Sequence, residues 1–219
     1  MPRRPDAPRL RFRISISLDG YTSGPEQSVE NPLGIGGEGL HEWALRLAAW
    51  RGAHGLEGGA VDASTPVFEE LLSNIGATIM GRNMFGGQPG PWNPEKPWNG
   101  WWGANPPFHH PVFVLTHYAR PPLVMKGGTT FTFVTEGAAK ALELATRAAK
   151  GQDVALAGGA HVAREYLNAD LVDEMQLHLV PTLLGAGERL FDGVGDLHRL
   201  RPVRTLAAAN VTHLKFARP

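Results

Sequence analysis

The run Val154-Ala-Leu-Ala-Gly-Gly-Ala-His-Val-Ala constrains the fold more than any other part of the chain. A short apolar strand turns through Gly158-Gly159 directly into a helix predicted over Ala160 to Asn168. A buried strand that feeds a helix belongs to α/β architecture, where the crossover returns the chain to a parallel neighbour. The segments before it keep the same alternation. Pro111 to Leu115 and Thr130 to Val134 read as strands, and Gly137 to Lys150 as an Ala-rich helix.

The amino-terminal half is less regular. Arg11 to Leu18 alternates, with Phe12, Ile14, Ile16 and Leu18 on one face, and Asp19-Gly20 ends the strand. Tyr21 to Gly39 reads as a long loop, and Leu40 to Trp50 as one helix. Thr65-Pro66 has the form of an N-cap followed by proline, opening a helix that runs to Asn74 and is stopped by Gly76. Ala77 to Met80 is a buried-type strand closed by Gly81-Arg82. Gly86 to Pro107 is rich in Gly, Pro and Asn, yet Trp92, Trp98, Trp101 and Trp102 argue for packing rather than disorder, so it reads as an ordered surface excursion. Leu171 to Leu179 alternates and is expected to be exposed on one side, and Val203–Leu206 with Val211–Phe216 closes the chain as a hairpin. The expected fold is a single α/β domain over 1–219, core about 9–217, with a mostly parallel central sheet and an antiparallel C-terminal edge.

Charge narrows the partners. Lys+Arg and Asp+Glu number 21 each, which favours neither nucleic acid nor an anionic membrane. The absence of cysteine removes disulfides, thiolate zinc sites and thiol catalysis. No apolar run reaches the roughly 20 residues of a membrane span, and the start, Met1 to Asp6, has no apolar signal-peptide region, so a cytoplasmic location is expected.

Candidate chemistry sits at strand ends. The Gly158-Gly159 turn followed by Ala160 and His161 is either an anion site, most naturally for a dinucleotide pyrophosphate, or a plain β–α turn that needs glycine. Gly34-Ile-Gly-Gly-Glu-Gly39 has the spacing of a dinucleotide fingerprint but lacks the strand that must precede it, and reads better as a mobile lid. Asp19 either orients or protonates a substrate, with burial raising its pKa, or belongs to an Asp-Gly turn. Arg82 suits a phosphate or a surface ion pair, and Thr116-His-Tyr-Ala-Arg120 a ribose phosphate or a solvated turn. His109 and His110, adjacent on an extended chain, point opposite ways, so no metal is expected. Serine-hydrolase and P-loop signatures are absent.

Five motifs in order, Ser15-Ile-Ser-Leu-Asp-Gly-Tyr, Ala77-Thr-Ile-Met-Gly-Arg-Asn-Met-Phe, Pro111-Val-Phe-Val-Leu-Thr, Ala157-Gly-Gly-Ala and Leu171 through Gly187, resemble the reductase-domain family of riboflavin biosynthesis, within the dihydrofolate-reductase-like superfamily. The resemblance implies the three-layer sandwich of that superfamily and an NADPH site, NADH being the alternative, at the carboxyl edge of the sheet. By position it implies Gly81, Arg82 and Asn83 at the phosphates and Thr116 and His117 near the adenosine ribose and its 2′-phosphate. It also implies Gly158, Gly159, Ala160 and His161 at the pyrophosphate, and Asp19 and Gly20 at the nicotinamide–substrate pocket. Tyr21 and Trp43 are candidates to stack on a substrate, Trp43 being equally placed for the core. Two departures, Met84 where relatives often carry Thr or Ser and His117, with Arg120 further on, where many carry a basic residue, bear on the choice of NADPH over NADH. With no cysteine-bearing deaminase segment, the expectation is a stand-alone NAD(P)H-dependent reductase for a small heterocycle. The alternatives are a cofactor-binding protein without turnover and a flavin- or deazaflavin-dependent reductase. The one-sided strand and the Trp-rich segment suggest a homodimer.

Overall fold

Apolar periodicity places the strands, and its failures are informative. In a computed structural model that describes residues 7–197 and 199–219, the chain runs β1 (Leu10–Ser17), β2 (Tyr21–Ser23), α1 (Glu42–Leu45), α2 (Ala48–Ala53), α3 (Thr65–Leu72), β3 (Ile75–Gly81), α4 (Arg82–Phe85), β4 (Pro111–Leu115) and β5 (Leu123–Val124). It continues with β6 (Thr130–Val134), α5 (Ala138–Ala148), β7 (Asp153–Gly158), α6 (Ala160–Asn168), β8 (Glu174–Val180), β9 (Glu188–Arg189), β10 (Arg201–Ala208) and β11 (Val211–Ala217). Met1 to Asp6, read above for a signal peptide, lie outside the described residues. No helix among the described residues is long and apolar enough to cross a membrane. Leu18, expected on the apolar face of β1, is 56% exposed because the strand stops at Ser17.

The described residues form two compact units, each built from separated segments: 7–12 with 74–173, and 13–73 with the described part of 174–219. In the first, the strand order is β1-β7-β3-β4-β6-β5, all parallel except β5. Helix α5 packs on β3 and β4, and α6 on β7 and β3. Buried Met80, Phe85, Val112, Val114, Phe131 and Phe133 form a core against which Trp92, Trp98, Trp102 and Phe108 are packed, so the Gly- and Pro-rich excursion is ordered by its aromatic side chains. Gly76 is not a helix stop. The turn is made by Asn74 at φ 57°, while Gly76 lies inside β3, where a Cβ would come within 2.5 Å of the Ala149 carbonyl oxygen.

In the second unit β8, β11 and β10 run antiparallel as the expected C-terminal hairpin and its neighbour, and β2 pairs with β9 in a small ribbon. The helix predicted over Leu40 to Trp50 is broken. Leu47 turns extended (ψ 139°) to bridge Ala60, with Ala48 N–H to Ala60 O and Ala60 N–H to Arg46 O both at 2.8 Å. Ser64, one residue before the expected Thr65, is the N-cap of α3. The presumed lid is folded on itself. Gly24 N–H donates to Leu33 O and Ile35 N–H to Pro25 O, and a Cβ at Gly24 would lie 1.9 Å from the Ile35 carbonyl oxygen.

The largest correction concerns β8, whose polar residues are buried rather than solvated. Glu174 pairs with Lys215 at 2.9 Å, Gln176 donates to Glu174 at 3.1 Å, and His178 Nδ1 lies 2.9 Å from His213 Nδ1. His213 Nε2 reaches Ser64 Oγ at 3.0 Å, and the Trp43 ring packs on both imidazoles at 4.6 and 4.9 Å. An exposed flank of β8 therefore no longer argues for a homodimer.

Burial keeps both histidines neutral. It pushes His213 down to about 4, with Arg204 adding to the effect and Asp62 opposing it; it pushes His178 well below the usual imidazole range, helped by His213, Arg13, His41 and Arg204. Unfolded histidine takes up its proton near pH 6.5. The unfolded chain thus binds more protons below that pH, so stability is flat above about 6.5 and falls on acidification toward about 4. Urea midpoints measured across this range should drop steadily, and a midpoint independent of pH would contradict this environment for the pair.

Candidate functional site

Register decides which strand ends meet. In the first unit β7, β3 and β4 lie side by side and parallel, with Met80 opposite Gly158 and Gly81 opposite Leu115. The carboxyl ends of these strands carry Gly158-Gly159, Gly81-Arg82 and Thr116-His117, so the candidates that sequence placed 34 or more residues apart share one edge. Such an edge of a parallel sheet is where α/β proteins bind ligands.

Each group is held for a local reason. Gly158 has φ 110°, a conformation L side chains rarely adopt, and the Gly158–Gly159 peptide is cis. Helix α6 starts at Ala160 without a side-chain cap, leaving its first N–H groups free of intrahelical acceptors. A Cβ on Gly159 would meet nothing within 4 Å, so that side of the turn is open. Gly81 is needed for close packing: a Cβ there would lie 2.8 Å from Val162 Cγ2, on the first turn of α6. Tyr166 anchors the same helix by donating to Ala138 O at 2.7 Å. His161 is exposed and pairs with Glu165 at 3.2 Å. Thr116 is buried, its hydroxyl accepting from Tyr118 N–H at 3.2 Å, while His117 and Asn83 are exposed.

The cations were only half legible in the sequence. Arg82 donates to Gln88 O at 2.8 Å and lies 3.8 Å from the centre of the Trp92 ring. Arg120 lies 4.9 Å from the same ring and 5.2 Å from Phe133, and donates to Trp98 O and, at 3.0 Å, to Asn99 Oδ1. Trp92 Nε1–H donates to Tyr118 O at 2.8 Å, tying the excursion to the loop after β4. Trp98 and Trp101 donate to Phe85 O and Met84 O, which end α4. Among the described residues neither guanidinium is paired with a carboxylate, and Arg82 Nε is buried without a partner. Burial lowers the pKa of both, and Arg120 lowers that of Arg82 further. Two partly desolvated cations without a counter-charge, beside an open glycine turn and a helix start, fit an anionic dinucleotide.

The second unit holds the other candidates. Asp19 follows β1, and its carboxylate accepts from Ser17 Oγ at 2.6 Å, Gly185 N–H at 2.7 Å and Leu184 N–H at 3.1 Å. The Ser17 hydroxyl first, then these backbone donors, bring its pKa down to about 2, against desolvation, which acts in the opposite direction and ranks second to Ser17. The expectation of a raised pKa is thereby corrected: Asp19 is an anion at neutral pH and holds no proton to give. It pins the 182–185 turn, and Asp19→Ala should make that segment severalfold more susceptible to limited proteolysis; an unchanged cleavage pattern would contradict this anchoring. Gly20 (φ 89°) makes the following turn, and Tyr21 packs under Arg189 at 5.1 Å and donates to Gly185 O at 3.3 Å. Trp43 is 4% exposed, its indole N–H donating to Ser15 Oγ at 3.0 Å within a core of Leu40, Leu47, Phe68, Leu71, Val180 and Val211. It offers no face to a substrate. Among the described residues no group of three or more His, Cys, Asp or Glu could hold a metal ion.

Parallel strands ending in a glycine turn and a helix start, with an antiparallel C-terminal hairpin, define the α/β class of dihydrofolate-reductase-like domains. Similar structures include a protein of Shewanella sp. PV-4 assigned to riboflavin biosynthesis (TM-score 0.59, 19% identity, 96% of this chain and 99% of that one). The dihydrofolate reductase of Enterococcus faecalis, solved in complex with NADP(H) and RAB-propyl, is also similar (TM-score 0.50, 13% identity, 96% of each chain). A third is the diaminohydroxyphosphoribosylaminopyrimidine deaminase/5-amino-6-(5-phosphoribosylamino)uracil reductase of Thermotoga maritima (TM-score 0.55, 11% identity), of which the match covers 57%, with 98% of this chain. The chain belongs to the RibD C-terminal domain family, whose model matches residues 8–214. Among curated proteins it is 30% identical over 87 residues to the uncharacterised YwjB of Bacillus subtilis (strain 168), a match over 40% of this chain and 49% of that protein. Family and fold are those of a reductase domain, and the chain spans about half the length of the curated relative it matches.

Proposed function

We propose that the protein is an NADPH-dependent reductase acting on a small heterocyclic substrate. The observation that carries this reading is the shared edge of β7, β3 and β4, where a glycine turn, the start of α6 and two guanidiniums without carboxylate partners among the described residues stand together. When bound, NADPH supplies a hydride. The protein's part is orientation. The first N–H groups of α6, from Ala160 and His161, face the pyrophosphate, and Gly158 and Gly159 let the backbone approach it. Arg82 and Thr116 stand at the adenosine end, with Asn83 and His117 exposed beside them. In the second unit, Asp19 and Gly20 fix the turn that presents Tyr21, and Asp19 acts as a fixed anion rather than a proton source.

Quenching of tryptophan fluorescence tests the first half, since Trp92 lies against Arg82. Saturable quenching by NADPH is expected, and none by either nicotinamide dinucleotide would refute the reading. Loss of the reduced-nicotinamide absorbance in a panel of pterins, ribosylaminopyrimidines and quinones tests the second half. Binding without any turnover would favour a cofactor-binding role, and a yellow purified protein a flavin-type reductase.

A further inference from the structure

The turn that follows β1 uses its polar groups internally. Both carboxylate oxygens of Asp19 are held by Ser17 Oγ and the Leu184 and Gly185 N–H groups, and the Tyr21 hydroxyl donates to Gly185 O. Arg189 lies over the Tyr21 ring, donates to Asp19 O at 3.1 Å and stands 3.7 Å from Asp192 Oδ1. What the same turn leaves exposed is aliphatic. Leu18 and Ile35 are each 56% exposed, and Leu183 is 72% exposed. Their backbones lie close together. Leu18 N–H donates to Thr182 O at 2.9 Å, and Gly36, next to Ile35, would place a Cβ 3.1 Å from Leu184 Cδ2. The chain beneath is close-packed, since a Cβ at Gly187 would overlap Ser23 O. An apolar patch held rigid in the open is suited to binding, because little ordering cost remains. Charge points to what it binds. Asp19 is an anion at this turn and Asp192 offsets Arg189, so the local charge is negative and repels a phosphate or carboxylate.

We infer that Leu18, Ile35 and Leu183 form the substrate face of this reductase and select uncharged, apolar rings against phosphorylated ones, an assignment that rests on the reductase reading above. Leu183, the most exposed of the three, is the main specificity-determining side chain. The chain is thereby set apart from the 5-amino-6-(5-phosphoribosylamino)uracil reductase of Thermotoga maritima, whose named substrate carries a phosphate.

The test measures kcat/KM on the full chain with saturating NADPH and matched acceptors, one member of each pair uncharged and one anionic. The pairs are menadione with naphthoquinone sulfonate, and a ribosylaminopyrimidine with its 5′-phosphate. Each turnover moves one hydride from NADPH to the acceptor, takes one proton from solvent and leaves NADP+ with the two-electron-reduced product. Burying one aliphatic side chain against a ring corresponds to about a tenfold change in affinity, so Leu183→Ser should lower kcat/KM for the uncharged member by about that factor and leave the anionic member within about twofold. Leu183→Arg should lower the first and raise the second. The side chain is exposed, so both variants should keep the far-UV circular dichroism and the NADPH affinity of the wild type. Equal loss for both members, no change in either, or a wild-type protein that reduces only the anionic members would overturn the assignment. So would variants that alter the sedimentation coefficient but not the acceptor preference, which would mark a contact between copies. Wild-type protein that binds NADPH but reduces none of the four acceptors would overturn the assignment and leave the dinucleotide site standing. Protein that binds neither nicotinamide dinucleotide would overturn both.

Discussion

Trp43→Ala should lower the stability of the protein by about 3–5 kcal/mol, the usual cost of emptying a large buried aromatic site. The indole is enclosed by Leu40, Leu47, Phe68 and Leu71, packs on the His178 and His213 rings, and donates to the Ser15 hydroxyl. Truncation therefore leaves a cavity and an unpaired hydroxyl together. Were Trp43 a stacking platform for a substrate, the same change would raise KM and leave the denaturation midpoint in place. Urea unfolding of the variant separates the two roles, and a loss below about 1 kcal/mol would contradict the core assignment.

The second large effect is on binding. Gly81→Val would force its side chain into Val162, because even a Cβ there lies 2.8 Å from Val162 Cγ2. The first turn of α6 must move to accommodate it. A displacement of about 1 Å at a positioning element costs on the order of a hundredfold, so affinity for both NADPH and NADH should fall by about that factor. Gly76→Ala is the control on the same strand. It overpacks the Ala149 backbone at the amino end of β3, so it should cost about 1–3 kcal/mol of stability and leave dinucleotide affinity unchanged. If the two variants weaken binding alike, α6 and the end of β3 do not form a cofactor edge. Val162→Ala in the Gly81→Val background removes the clashing methyl and should restore part of the affinity.

The regular elements were legible because their sequences are locally consistent. Pro111–Leu115, Thr130–Val134, Asp153–Gly158 and α6 each combine a clear apolar period with a glycine or proline boundary. The strand ends that carry the cofactor candidates followed, since a parallel order makes carboxyl ends coincide. What escaped the sequence was set by tertiary pairing. Leu47 leaves helical geometry to bridge Ala60, a partner thirteen residues away that no periodicity reveals. Glu174, Gln176 and His178 look like a solvated flank, yet Lys215, His213 and Trp43 cover them, and charge or aromatic complementarity across strands leaves no local mark. Asp19 shows the same limit. Its Asp-Gly context signals a turn, and the low pKa comes first from Ser17 two residues before it, but the Gly185 and Leu184 N–H groups that add to it lie more than 160 residues away. The pairing of Arg82 with Arg120 at Trp92 has one legible clue, the density of tryptophan in an otherwise loop-like segment.

The most direct test of the central claim is a crystal structure of the protein with NADPH bound. The account predicts the pyrophosphate against the N–H groups that open α6 at Ala160 and His161, and the adenosine end beside Arg82 and Thr116. NADPH seated away from the ends of β7, β3 and β4 would contradict it.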